Sequence, residues 1–212
     1  SADVLPQIKE YERVSTTAVN AYVGPAVGRY LGRLENRLKD AGYTGPVLII
    51  LSHGGVAPIQ DTIRLAAGTV LSGPAGGVAG ARRSAELLGA PNLIPFDMGG
   101  TSTDISLISG GEAALSSDRG VGGERVALPS LDIVSIGAGG GSIARVDAGG
   151  VLHVGPESSG AQPGPACYGR GGTQPTTTDA SVVLGLLDAE NFLGGAATLD
   201  KPAAEKALDG LA

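Results

Sequence analysis

The chain has 212 residues, with 15 Lys and Arg against 21 Asp and Glu for a net charge of −6, enough for a single domain, or a domain in two halves, with a real core. The acidic balance, with no basic run beyond Arg82-Arg83, argues against a phosphate-backbone footprint for nucleic acid, and 36 glycines without a Gly-X-Y period exclude collagen while implying many backbone-defined loops. One cysteine, Cys167, cannot form an internal disulfide, and with His53 and His153 it falls short of a structural zinc set, which fits a reducing, cytoplasmic setting.

The N-terminal residues Asp3, Lys9, Glu10, Glu12 and Arg13 surround no apolar segment, and the uncharged stretch 41–60 is broken by Gly and Pro, so neither a signal peptide nor a membrane span is expected. From Ser15-Thr16-Thr17, a candidate N-cap cluster, to Gly42, apolar residues fall at Val23, Val27, Tyr30, Leu31, Leu34 and Leu38, a helical period in which Pro25 should mark a kink or a restart. Val47–Leu51 is a continuous apolar run between Gly45-Pro46 and Ser52-His53-Gly54-Gly55, the pattern of a strand buried on both faces. Residues 57–67 read as a helix and Thr69–Leu71 as a short extended entry. The segment from Ser72 to Leu88 is a helix whose first turns, Ser72-Gly73-Pro74-Ala75-Gly76-Gly77, carry almost no side-chain bulk, so a close neighbour is expected.

After Pro91 the period changes to that of strands. Leu93–Phe96 and Ile105–Ile108 flank a polar glycine turn, a hairpin; further extended segments are expected at Ala113–Leu115, Asp132–Ile136, Ile143–Val146 and Val151–Val154. Residues 156–178 form a long Pro/Gly/Ser/Thr segment, followed by a helix from Ser181 to Leu187 capped by Thr178 or Asp179. The tail, 202–211, has the pattern of an amphipathic helix that stops before finding its partner.

The sharpest local signal is Asp97-Met98-Gly99-Gly100-Thr101-Ser102-Thr103-Asp104 between the two strands. Glycines at such a turn remove Cβ atoms and let backbone N–H groups face phosphate oxygens, Thr101 can add a hydroxyl, and a carboxylate at the strand end suits Mg²⁺, which takes only one or two protein carboxylates. A bland hairpin in which Asp97 and Asp104 only cap the turn is the competing account. Gly137-Ala138-Gly139-Gly140-Gly141-Ser142 resembles a dinucleotide fingerprint but ends in Ser142 and leads into a strand, so its three consecutive glycines either touch a ligand or turn under the other lobe. No G-x-S-x-G elbow and no G-x-x-x-x-G-K-[ST] loop occurs, which disfavours a serine hydrolase and rules out P-loop chemistry. Cys167 and His153 are more readily structural than catalytic.

The segments Glu10–Arg13, Asn20–Tyr22, Leu71–Gly77, Asp97–Asp104, Ile136–Ala144, Pro163–Gly169 and Thr177–Ala180 occur in the order found in hydantoinase A/5-oxoprolinase proteins, and the chain resembles that family from about residue 3 to 195. The resemblance implies an α/β fold of the actin, Hsp70 and sugar-kinase (ribonuclease H-like) ATPase type. Residues 1–92 would form a helical and β/α segment ending in the connecting helix, and 93–212 a β-rich second-lobe segment with the phosphate hairpin. It also implies ATP with Mg²⁺ or Mn²⁺ as cofactors. Asp97 would hold the metal and act with Asp104 in catalysis; Gly99, Gly100, Thr101, Thr103, Gly139, Gly140 and Gly141 would bind the nucleotide. The implied reaction is ATP-dependent opening of a cyclic amide such as a hydantoin or 5-oxoproline, beside a B-type partner subunit or domain. The alternatives are a subunit of a ketone carboxylase or a non-enzymatic ATPase module of reactivating-factor type. The family's other phosphate loop and its adenosine-binding glycine motif do not occur in these residues, so the resemblance implies a middle segment with half a nucleotide site, inactive by itself. His53 stands where the family usually has Asn.

Overall fold

In the computed structural model, which describes residues 1–211, the chain forms two compact units: Ser1–Pro95 with Ser106–Ile133, and Phe96–Ile105 with the residues from Val134 onward. They do not coincide with the segments 1–92 and 93–212, because residues 106–133 pack in the first unit. No helix among the described residues is long and apolar enough to cross a membrane.

The first unit is organised on helix α1 (Glu10–Asp40), which starts before the Ser15–Thr17 cluster, with Glu10 and Glu12 in its first turn where the helix dipole favours them. Ser15 and Thr16 are buried and do not cap it. Ser15 Oγ donates to Arg125 O at 2.7 Å and Thr16 Oγ1 accepts from Ala127 N at 3.0 Å, so these hydroxyls fasten the helix to the end of the strand Glu124–Val126. Pro25 lies inside the helix and neither ends nor restarts it. Asn20 accepts from Ala67 N at 2.9 Å and donates to Arg64 O at 3.2 Å, joining α1 to helix α2 (Ile59–Arg64) and the 3-10 turn Ala66–Thr69. The expected helix over 57–67 is therefore divided, its first residues belonging to the strand Val56–Pro58, and Thr69–Leu71 is not a strand.

Leu48–Ile50 pairs antiparallel with Val56–Pro58, but Leu48 and Ile50 stay 51% and 40% exposed, so the apolar run is half of a two-stranded ribbon and is not buried on both faces. Helix α3 (Ser72–Leu88) buries Ala75, Val78 and Ala85 and ends on Gly89, whose φ of +63° supplies the left-handed cap. Two apolar clusters hold this unit together: Leu5, Ala67, Val126, Ala127 and Leu128, and Ala75, Val78, Ile108, Leu131 and Ile133. Each large aliphatic side chain fully buried in them contributes about 2 kcal/mol.

The second unit is built on the hairpin of Phe96–Met98 with Thr103–Ser106, in the register Phe96↔Ile105, Asp97↔Asp104 and Met98↔Thr103. Ile133–Ile136 adds a third strand on the far side of Thr103–Ser106. Ser142–Val146 then pairs with Leu152–Ser158, with a bulge between Ser142 and Ala144. A strand, not a helix, follows Gly139-Gly140-Gly141, which removes the dinucleotide fingerprint. Helix α4 (Thr177–Val183) is capped by Thr176, whose hydroxyl accepts from Asp179 N at 3.3 Å, and not by Thr178 or Asp179 as expected. Helix α5 (Lys201–Asp209) does find a partner: its Ala204 packs with Cys167, Val182 and Leu199 in one apolar cluster.

Candidate functional site

Three segments of the second unit stack in layers. The turn Gly99–Ser102 closes on itself through Gly99 N donating to Ser102 O at 2.8 Å. Behind it, Gly140 N donates to Gly99 O at 2.9 Å and Gly141 N to Gly100 O at 2.6 Å. Behind that, Thr178 grips Gly140 O twice, through its amide and its hydroxyl, each at 2.8 Å. The glycines are required by this stacking. A Cβ on Gly139 would lie 2.7 Å from Ser102 N and 2.8 Å from Gly99 O; one on Gly140 would lie 2.8 Å from Thr178 Oγ1; one on Gly141 would lie 2.9 Å from Gly100 O. Real Cβ atoms do not approach backbone so closely, so the three consecutive glycines exist to let the turn lie on them.

With the carbonyls of Gly99 and Gly100 turned back onto the glycine loop, the amides of Gly100 and Thr101 have no acceptor among the described residues. They border a cavity of about 680 Å³ whose lining includes Met98, Gly99, Gly100 and Thr101 on one side and Pro165, Tyr168, Thr178, Leu186 and Leu187 on others. Exposed backbone N–H groups fixed in a turn are an anion cradle, since they present positive dipole ends without the desolvation cost of a charged side chain.

Asp97 is exposed and makes no side-chain hydrogen bond or ion pair among the described residues. It sits directly opposite Asp104 in the ladder, so both carboxylates share one face of the ribbon, a like-charge pairing that costs up to about 1 kcal/mol without a cation. Asp104 accepts a hydrogen bond from Ser135 Oγ. A carboxylate free of protein partners beside a phosphate-type cradle suits Mg²⁺, which keeps most of its waters; no group of three or more His, Cys, Asp and Glu side chains assembles among the described residues to form a closed cage.

Two residues singled out in the sequence lie elsewhere in this arrangement. Thr103 is fully buried with its hydroxyl donated to Ala138 O, so it ties the strand to the glycine loop and has no group to offer a ligand. Gly139 is buried beneath the turn and packs against its backbone. Sequence reasoning missed the double grip of Thr178 and the wall formed by Tyr168, Leu186 and Leu187, which only the fold brings to the turn.

Asp179 is completely buried and accepts from Cys167 N at 2.8 Å, Ala166 N at 3.3 Å, Thr176 N at 2.9 Å and Thr176 Oγ1 at 2.7 Å. Beside it, burial first and then Asp179 push the Cys167 thiol up to about 12, so the thiolate a nucleophile needs does not form near neutral pH. His153 bonds Asp147 at 2.7 Å on the 147–153 hairpin, and His53 Nδ1 accepts from Gly55 N at 3.1 Å within its own turn; neither lines the cavity.

The family model for hydantoinase/oxoprolinase proteins matches residues 13–212. The chain belongs to the hydantoinase/oxoprolinase family. It is 44% identical over 97% of its length to the caprolactamase subunit alpha of Pseudomonas jessenii, covering 30% of that protein, and 40% identical over 98% of its length to the acetophenone carboxylase gamma subunit of Aromatoleum aromaticum, covering 28% of it. A solved structure of an ATP-dependent acetone carboxylase, nucleotide-free, superposes on 99% of this chain and 29% of that one with a TM-score of 0.82 at 34% identity. The chain thus spans about three tenths of the length of these relatives. Its α/β fold is the actin-like ATPase type of the hydantoinase/oxoprolinase family, as the resemblance implied.

Proposed function

We propose that this chain is the central, ATP-binding portion of an ATP-dependent cyclic amide hydrolase, opening a hydantoin- or lactam-type ring. The observation that carries the proposal is the pair of acceptor-free amides, Gly100 and Thr101, held at a cavity wall by a turn that is itself anchored from behind. The family supports an amide substrate, and the relative named a caprolactamase is a ring-amide enzyme by its name.

The amides of Gly100 and Thr101 and the Thr101 hydroxyl would hold phosphate oxygens, and Asp97 would hold hydrated Mg²⁺, with Asp104 across the ladder orienting the water between. The chemistry that ATP supplies when bound is phosphorylation of the amide oxygen, which converts a poor electrophile into one with a good leaving group. The protein's share is positional. The glycine loop keeps the turn from retreating when charge builds on it, and electrostatic groups fixed in advance act without reorganisation. A partner subunit or domain of B type is part of this proposal, in keeping with the relatives' designation as subunits.

Changing Asp97 to Asn in the complete enzyme is expected to abolish ATP-dependent ring opening, measured as coupled release of ADP and the open-chain product; unchanged turnover refutes the metal role. The likeness to acetone carboxylase favours a second reading, a ketone carboxylase subunit. ATP consumption that requires bicarbonate and a ketone would establish it.

A further inference from the structure

We infer that the wall of the cavity facing the anion turn, formed by Tyr168, Leu186, Leu187, Pro165 and Ala161, is the seat of the organic substrate, and that it selects an uncharged ring. The inference rests on the proposed function and goes on to name the substrate class. An amide oxygen can be phosphorylated only if it lies within about 3.5 Å of the phosphorus it attacks, so the ring must bind next to the amides of Gly100 and Thr101. The cavity that those amides border runs on to the apolar wall. Leu186 is 75% exposed there, a large apolar surface left to water unless something covers it.

The chemistry of the lining narrows the occupant. Among the described residues, none of the side chains lining the cavity is charged. A carboxylate-bearing ring such as 5-oxoproline would be desolvated there without a counter-ion, whereas the methylenes of an unsubstituted lactam gain by burial. One cation approaches the wall, Arg170, whose guanidinium lies 5.8 Å from the Tyr168 ring centre but is not part of the lining. A purine seated on the same wall would make it a nucleobase site, and the experiment separates that case.

Leu186→Ala enlarges the wall and Ala161→Leu fills it; both positions are exposed, so neither change opens the core. In the complete enzyme with its partner subunits, Leu186→Ala should raise the kcat/KM ratio of the seven- over the five-membered lactam by about tenfold, and Ala161→Leu should lower it, with the KM for ATP unchanged. The unmodified enzyme should prefer 2-pyrrolidinone to 5-oxoproline. Unchanged ring-size ratios in both variants, a raised KM for ATP, or a preference for 5-oxoproline that Arg170→Ala removes would overturn the inference. Saturation-transfer NMR with the seven-membered lactam distinguishes the two levels. Binding weakened by Ala161→Leu without any ATP-dependent turnover keeps the substrate wall and refutes the proposed function; ATP-dependent turnover with ring preference untouched does the reverse.

Discussion

Two glycine-rich stretches of this chain look alike in sequence and behave differently. Gly139, Gly140 and Gly141 each meet a backbone or hydroxyl atom where a Cβ would stand, whereas in α3 Gly76 has a close neighbour, Ile50 Cδ1 at 3.1 Å, and Gly73 and Gly80 have nothing within 4 Å. The first stretch is explained by contacts within its own unit. The second lies on a helix that buries Ala75 while Gly73 and Gly80 face open space. Glycine content announces that a close approach is permitted; only the contact shows whether one occurs.

The sharpest way to break this contrast is Gly139→Ala. Its Cβ has no room against the backbone of Gly99, Thr101 and Ser102, so the turn must shift, at a cost of about 3 kcal/mol, and nucleotide affinity measured calorimetrically in the complete enzyme should fall below detection. Wild-type affinity in this variant would show the layered arrangement to be irrelevant to binding. Thr178→Val should do less. It removes one of two bonds to Gly140 O, costing about 1 kcal/mol and weakening nucleotide binding some fivefold, while Thr178→Ser restores it.

Gly80→Ala should go the other way, adding about 0.5–1 kcal/mol of stability by thermal unfolding, since it lies inside a helix with free space around it. Loss of activity in that variant would place a close neighbour outside the described residues and erase the difference between the stretches. The smallest effect concerns the 147–153 hairpin. Asp147 is held below its ordinary value of 3.8, chiefly by the hydrogen bond from His153 and then by the amides of Val151 and Gly149. A depressed carboxylate stabilises the hairpin above pH 3.8 and loses that contribution as pH falls through its lower folded value. His153→Ala should move the Asp147 titration back up, as followed by NMR of its carboxyl carbon, and leave ATP-dependent turnover intact.

Much of the fold was legible because its signals are local. The hairpin at 96–106, helix α3 and the strands near 133–136 and 142–146 each follow from a period and a bounding glycine turn. What was missed is non-local. Ser15 and Thr16 have the chemistry of helix caps, and nothing nearby in sequence says that their partners are Arg125 and Ala127. The apolar run 47–51 has the same composition whether it is covered or left as a ribbon. The hairpin Arg119–Val121 with Glu124–Val126 went unread although Gly122-Gly123, both at positive φ, is a hairpin turn in plain view. In the candidate site, the residue types at the turn were readable, but the wall of Tyr168, Leu186 and Leu187 was not, since only folding brings it to the cavity.

The buried carboxylate of Asp179 has a consequence for how the cavity assembles. Its four donors come from two places: the 3-10 turn that begins at Ala166 and carries Tyr168, and the cap of α4, where the neighbouring Thr178 holds the glycine loop. If either side were missing, an anion would be left buried with half its partners, a state that a folding chain avoids. The hydrocarbon wall and the phosphate-side scaffold are therefore bound to appear together. An intermediate with one and not the other is selected against by a single side chain, so the cavity is made whole or not at all.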